Sequence, residues 1–316
     1  MNIRQFTAAA LLASAGAALL PGCPSDPQPL KLQGQVSLTL LHTSDIHSRL
    51  FPYDFQVSST DAALGLGTAN TLAKIGGAAR VSHIVQRERA RADRVLHLDG
   101  GDCFQGAPVF NFYNGEAELR ALTEMGTDAM IISNHEFDKG ALNLSNQLQK
   151  WASYPVLAAN YKFDEITIPG SPQLAKVVVP WTSFNLNGLK VGVIGMGNLS
   201  SLSSLFEQPN RLGIMPMNTT TVAQFYTDLI RPLVDVVVFV THLGLEVDEE
   251  MIRNTSGIDI VLGGHNHIAL QPPKVLEDCQ NVDEKGNHFI NIISPDAQES
   301  GSDNWHDQRR CTARVA

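Results

Sequence analysis

The 316-residue sequence predicts an α/β protein, and three observations carry that expectation. Short, mostly apolar runs recur along the chain and end at Gly, Asp or Asn, as strands buried on both faces do. Segments with apolar residues at three- and four-residue spacing lie between them, as amphipathic helices do, and the alternation of the two belongs to α/β architecture. Residues able to bind metal stand directly after the strand candidates, where α/β sheets present their functional loops. An apolar fraction of 43% with 17% charged residues is globular composition and excludes a disordered chain.

The first element reads as an export signal rather than as part of the fold. Arg4 is followed by an apolar run from Phe6 to Leu20, which is short for a membrane-spanning helix. Leu20-Pro21-Gly22-Cys23 is similar to the bacterial lipobox, in which a small residue precedes a Cys that is lipidated and becomes the mature N-terminus. Residues 1–22 are therefore expected to be a lipoprotein signal peptide, with Cys23 as the lipidation site. The alternative is an ordinary signal peptide with a chance Cys nearby. Residues 23–35, with Pro24, Pro27, Pro29 and Gly34, read as a tether. The expected location is the bacterial cell envelope, lipid-anchored on its periplasmic or outer-surface side.

Strand candidates follow at Val36–His42, Arg94–Leu98, Asp128–Ile132, Lys190–Ile194, Asp235–Val240 and Ile258–Leu262. Residues 51–75, rich in Gly, Ser, Thr and Ala, read as a surface insertion. Asn114 is a candidate N-cap for a helix with Glu116 and Glu118 in its first turn, where negative charge suits the helix dipole, and Gly126 as its stop. Ala141–Trp151 and Thr220–Arg231 read as further amphipathic helices. These elements place one domain at residues 36–275, followed by a polar tail at 276–316. Cys279 and Cys311 in that tail are candidates for pairing, whereas Cys103 reads as a buried free thiol. His97, inside a strand candidate, is expected in the core.

With 32 acidic against 23 basic residues, the formal charge of −9 argues against a nucleic-acid polymer as partner. An anionic substrate then needs local positive charge, and a metal centre supplies it. Five segments carry candidate ligands: Asp45-Ile46-His47, Gly101-Asp102, Asn134-His135-Glu136-Phe137-Asp138, Thr241-His242 and Gly263-Gly264-His265-Asn266-His267. Residues two apart in an extended loop point to one side, so Asp45 with His47, and His265 with His267, can each grip an ion. Four imidazoles, two carboxylates and one amide oxygen suit Zn²⁺, Mn²⁺ or Fe better than an all-oxygen calcium site. Seven ligands fit two ions that share one, and Asp102, central in the order, is the expected bridge.

In order and composition these segments resemble the calcineurin-like metallophosphoesterases and, within them, the 5′-nucleotidase group. Leu41-His42-Thr43-Ser44-Asp45-Ile46-His47, Asn114-Gly115-Glu116 and Asn134-His135-Glu136-Phe137-Asp138 carry the closer likeness, over about residues 36–270. The resemblance implies a sandwich of two mixed β-sheets flanked by helices, with the site at one edge. It implies that Asp45, His47, Asp102 and His267 hold one divalent ion and that Asp102, Asn134, His242 and His265 hold the other. His135 would contact the substrate phosphate and the leaving group, with Asp138 as its partner, and Asn134 would also meet the substrate. His42 would support the metal loop. The implied activity is hydrolysis of a small phosphorylated substrate, with nucleotides as candidates and nucleotide catabolism as the setting.

Two features depart from the family pattern. Ser133 stands where Gly usually precedes Asn134. The tail after His267 has no room for the C-terminal domain of full-length 5′-nucleotidases and shows no clear version of the strand that completes their catalytic core, which implies a shortened relative. Two other readings follow: an envelope lipoprotein that keeps the fold for binding, with poor catalysis, or a hydrolase of 2′,3′-cyclic phosphodiesters or other esters with the same centre. The segment Phe104–Tyr113 offers aromatic faces either to a base or to the core.

Overall fold

The structure, a computed structural model, describes residues 32, 36–63, 65–164, 166, 168–200, 212–268, 270, 273–276 and 291–294. The signal peptide, Cys23, the tether apart from Leu32, Cys279 and Cys311 lie outside the described residues.

The first half builds a parallel sheet. Strand β1 (Thr39–Thr43) leads into the segment read as an insertion, which carries its own hairpin: β2 (Tyr53–Gln56), a short helix α1 (Ser59–Ala63) and β3 (Leu72–Ile75). Val57, 1% exposed, packs inward from it. Then come α2 (Ala78–Arg91), β4 (Val95–Asp99), α3 (Val109–Tyr113), α4 (Glu116–Met125) and β5 (Ala129–Ile131). A 3₁₀ turn at His135–Phe137 precedes α5 (Gly140–Trp151), β6 (Val156–Leu157), β7 (Tyr161–Phe163), α6 (Ser171–Val177) and β8 (Val178–Val179). The sheet order is β1-β4-β5-β6-β8, with every described pair parallel.

Helix α4 starts one residue later than its sequence suggests. Asn114 closes α3 in the left-handed conformation, and Gly115, at φ 106°, caps α4. Gly126 ends α4 as expected, also left-handed.

The second half builds a mixed sheet from β9 (Trp181–Leu186), β10 (Leu189–Met196), β12 (Val236–Thr241), β13 (Ile260–Leu262), β14 (Lys274–Leu276) and β15 (Asn291–Ser294). Its order is β14-β15-β13-β12-β10-β9, antiparallel at both edges and parallel between. Between β10 and β12 lie β11 (Ile214–Pro216), paired with β7, and helix α7 (Thr219–Ile230); helix α8 (Leu245–Arg253) lies between β12 and β13. The polar tail thus contributes a strand after all. Ile292 of β15 pairs with Ile260 of β13; Ile292 and Ile293 are a two-isoleucine signal too short to stand out among polar neighbours.

Two-residue alternation divides the core. Val191, Val193, Val236, Val238 and Val240 face Leu96, Leu98, Ile131 and Leu157, forming the layer between the sheets. Ile194, Met196, Val237 and Phe239 turn the other way, onto Val222, Ile230, Met251 and Ile252 of α7 and α8. Met130 and Val156 of the first sheet meet Leu119, Leu122, Leu144 and Leu148 of α4 and α5. The result is a sandwich with helices outside, and among the described residues no helix is long and apolar enough to cross a membrane.

His97 is fully buried in β4, as expected, with Nε2 3.0 Å from Thr43 Oγ1. Burial lowers its pKa to about 3, while the unfolded chain keeps the ordinary value near 6.5. Below that ordinary value the unfolded state binds the proton and the folded state does not, so stability falls as the pH drops from about 6.5 toward 3. Urea denaturation at pH 7 and pH 4.5 is expected to show a smaller pH-dependent loss in His97→Gln than in the wild type. Equal losses would remove His97 as the cause.

Candidate metal centre

Every expected ligand stands at the C-terminal end of a parallel strand. Asp45 and His47 follow β1, Asp102 follows β4 and Asn134 follows β5 in one sheet; His242 follows β12, and His265 and His267 follow β13, in the other. Six of them, the carboxylates and imidazoles, meet where the two sheets present the same edge. Asp45, His47, Asp102, His265 and His267 all have φ between 47° and 84°, a backbone region costly for residues other than Gly. Composition and periodicity give no sign of this.

The acidic and imidazole ligands form two groups, Asp45 with His47 and His267, and Asp102 with His242 and His265. In the first, His267 Nε2 lies 3.1 Å from both Asp45 Oδ1 and His47 Nε2. In the second, His242 Nε2 lies 2.8 Å from Asp102 Oδ2 without the alignment of a hydrogen bond. The groups adjoin through Asp45 Oδ1, which is 3.6 Å from His242 Nε2. Asp102 Oδ2 faces the His242 ring, and Asp45 Oδ1 reaches rings of both groups.

The donor chemistry fits cations. The Nδ1–H of His242 donates to Gly100 O at 2.7 Å and that of His47 to Gln105 O at 2.8 Å. Carbonyls only accept, so each Nε2 is left with an outward lone pair, the tautomer a metal requires. Asp45 Oδ1, Asn134 Oδ1 and His242 Nε2 are buried without a hydrogen-bond partner. Lone pairs converging in a buried site repel one another unless a positive charge lies between them. The field agrees: burial pulls the pKa of His242 down, but the Asp102 and Asp45 carboxylates lift it further, to about 9. A site that favours a proton this strongly also favours a metal ion.

Close packing holds these loops. Ser44 Oγ donates to Asp45 Oδ2 at 2.6 Å, and the His265 amide donates to the same oxygen at 3.0 Å. A Cβ on Gly264 would lie 2.1 Å from Ser44 Oγ, so only Gly lets the two loops approach. Asn266 Oδ1 accepts from the Leu245 amide at 2.6 Å and ties the His265–His267 loop to the start of α8.

Beside the ligands, the His135 ring centroid is 5.2 Å from that of His47. His135 Nδ1 lies 2.9 Å from Asp138 Oδ2; this hydrogen bond raises the His135 pKa, against the opposing effect of burial. Both side chains are partly exposed, at 30% and 19%, so this pair is open to a ligand. Glu136 has the opposite setting. Fully buried, it accepts from the amides of Asp102, Cys103 and Ser133 at 2.9–3.1 Å, and its Oε2 lies 2.7 Å from Ser133 Oγ. The sequence showed Glu136 only as a motif letter, because its role lies in contacts to a loop more than thirty positions away.

Other expectations resolve simply. Cys103 is a buried free thiol. His42 is buried with both ring nitrogens lacking hydrogen bonds, and burial lowers its pKa to about 4, so it sits neutral beneath the ligand loops. The aromatic segment divides: Phe104 and Phe110 stack in the core with centroids 5.3 Å apart, whereas Phe112 and Tyr113 are 79% and 53% exposed.

Comparison with known proteins gives a consistent result. The model of the calcineurin-like phosphoesterase family matches residues 38–269. A 5′-nucleotidase of Rattus norvegicus is 32% identical over 234 residues, which are 74% of this chain and 38% of the rat protein. The crystal structure of a 5′-nucleotidase precursor from Thermus thermophilus superimposes with a TM-score of 0.67 at 27% identity, covering 81% of this chain and 48% of that one. A Haemophilus influenzae NAD nucleotidase superimposes with a TM-score of 0.68 over 81% of this chain and 44% of its own, and at 22% identity this likeness speaks for the fold alone. The chain thus spans less than half the length of these relatives.

Proposed function

The chain belongs to the calcineurin-like phosphoesterase family, and from that premise we propose that it hydrolyses phosphate esters, nucleotides among them, through a centre of two divalent cations. The observation that carries the proposal is the meeting of two three-ligand groups, joined by the 3.6 Å approach of His242 Nε2 to Asp45 Oδ1. Asp45, His47 and His267 would hold one cation and Asn134, His242 and His265 the other, with Asp102 as the ligand they would share. Zinc, manganese or iron, when bound there, supplies Lewis acidity to the phosphoryl group and lowers the pKa of water.

The chain's own residues supply the rest. The Asp138 carboxylate takes the Nδ1–H of His135 and thereby fixes its ring and tautomer. In the imidazolium form that Asp138 favours, His135 Nε2–H is left to contact a phosphoryl oxygen and to hand its proton to the departing alkoxide, leaving the neutral ring with its proton on Nδ1. Asn134, whose buried Oδ1 lacks a partner, would meet both cation and substrate. The net charge of −9 is no obstacle, since the positive charge an anionic ester needs is concentrated at the centre.

Nucleotides are favoured by the names of the relatives. The purified chain, loaded with Mn²⁺ or Zn²⁺, is expected to release phosphate from AMP and from an aryl phosphate. Activity on the aryl phosphate alone would keep the hydrolase and remove the nucleotide. Turnover of 2′,3′-cyclic nucleotides alone would move the substrate to a diester. Inertness toward all three with metal bound would favour a binding role. We also propose that residues 1–22 are removed and that Cys23 is lipidated in a bacterial envelope, on the pattern of Arg4, the apolar run and Leu20-Pro21-Gly22-Cys23. Detergent-phase partitioning that persists in Cys23→Ser would overturn the anchor.

A further inference from the structure

We infer that the hydroxyl of Ser133 is a positioning group for Asp102, aiming one oxygen of that carboxylate into the centre by holding the other. This rests on the metal-centre reading above and adds to it a residue outside the ligand set, at the position where the family pattern has Gly.

Three side chains with almost no exposure meet at this point: Asp102 at 2%, Ser133 at 0% and Glu136 at 0%. Ser133 Oγ accepts from the Asp102 amide at 2.8 Å and donates to Asp102 Oδ1 at 2.5 Å or to Glu136 Oε2 at 2.7 Å. The hydroxyl thus grips Asp102 at its backbone and its side chain together. Asp102 Oδ1 accepts one further bond, from the His135 amide at 2.9 Å. When the hydroxyl proton points to Oδ1, the nearer of its two acceptors, Oδ1 is engaged by two protein donors and Oδ2 remains to face His242 Nε2 at 2.8 Å.

The hydroxymethyl group is also confined. Gly101, at φ 83°, would put a Cβ 2.7 Å from Ser133 Oγ, so the space that glycine leaves is filled by the serine. A glycine at 133 would leave Oδ1 with the His135 amide alone, and the carboxylate free to rotate about its last torsion. Bonds of this kind behind a ligand orient it and tune its affinity, and their loss typically costs about 10–100-fold in metal binding.

Calorimetric titration of Mn²⁺ into the metal-stripped full chain, with circular dichroism to establish folding, tests the inference in Ser133→Ala and Ser133→Gly. Both remove the hydroxyl, but only the second also removes the Cβ. The expected result is a similar weakening in both, about ten-fold in Kd, at the lower end of the range for such supporting groups. If one variant fails to fold, the other carries the measurement. Two Mn²⁺ bound by the wild type, with unchanged affinity in Ser133→Ala, would overturn the inference and leave the centre standing, including the case in which only Ser133→Gly is weakened. A wild type that takes up no Mn²⁺ would overturn the centre and this inference with it.

Discussion

Asp102→Ala is expected to lose metal and activity together. Bound Mn²⁺ or Zn²⁺, measured by elemental analysis after desalting, should fall from two ions per chain to at most one, and phosphate release should fall with it. Asp102 is almost fully buried, and its pKa is held well below the usual carboxylate range: burial opposes this, but the His242 ring 2.8 Å away and the Ser133 hydroxyl outweigh it. Alanine therefore removes a fixed negative charge from a buried group of histidines, which raises the cost of placing a cation there. The loss of affinity should exceed the roughly 10–100-fold that supporting residues contribute, because a ligand itself is gone. Asp45 supplies the control. Its Oδ1 reaches rings of both groups, so an Asp102→Ala protein that retains two ions would transfer the bridge to Asp45.

Much of this centre was legible in the sequence because each ligand is announced by a strand. A run such as Val236–Val240 is wholly buried and wholly apolar, and the polar pair that follows it, Thr241 and His242, stands out. The same physics hid other parts. Strands β6 and β8 are two residues long, too short for any periodicity. Strand β15 contributes four residues to a polar tail and gains its place from pairing with β13 rather than from its own pattern. Asn114 has the chemistry of an N-cap, but the left-handed turn at Asn114 and Gly115 assigns it to the end of α3. Ser133, Glu136 and Asn266 act through bonds to backbone amides, and such bonds reveal themselves only when two distant loops are seen side by side.

His135→Ala should separate chemistry from metal binding. The ring lies beside His47 yet is tied to Asp138 rather than to a ligand group, so its removal leaves both groups intact. Metal content should match the wild type while kcat falls by about 10²–10⁴-fold, the range for loss of a positioned acid or base. Asp138→Asn should retain the ring and weaken its control. The hydrogen bond that His135 donates to Asp138 raises the His135 pKa, so its proton persists to higher pH than on a free imidazole. Neutralising Asp138 lowers that pKa, and if His135 delivers a proton to the leaving group, the alkaline limb of kcat should move to lower pH in Asp138→Asn. Bound cations lower the pKa in both proteins alike, so the difference between the two profiles reports Asp138 alone. Coincident profiles, or a His135→Ala protein with undiminished kcat, would remove proton transfer from this pair and leave phosphate contact as its role.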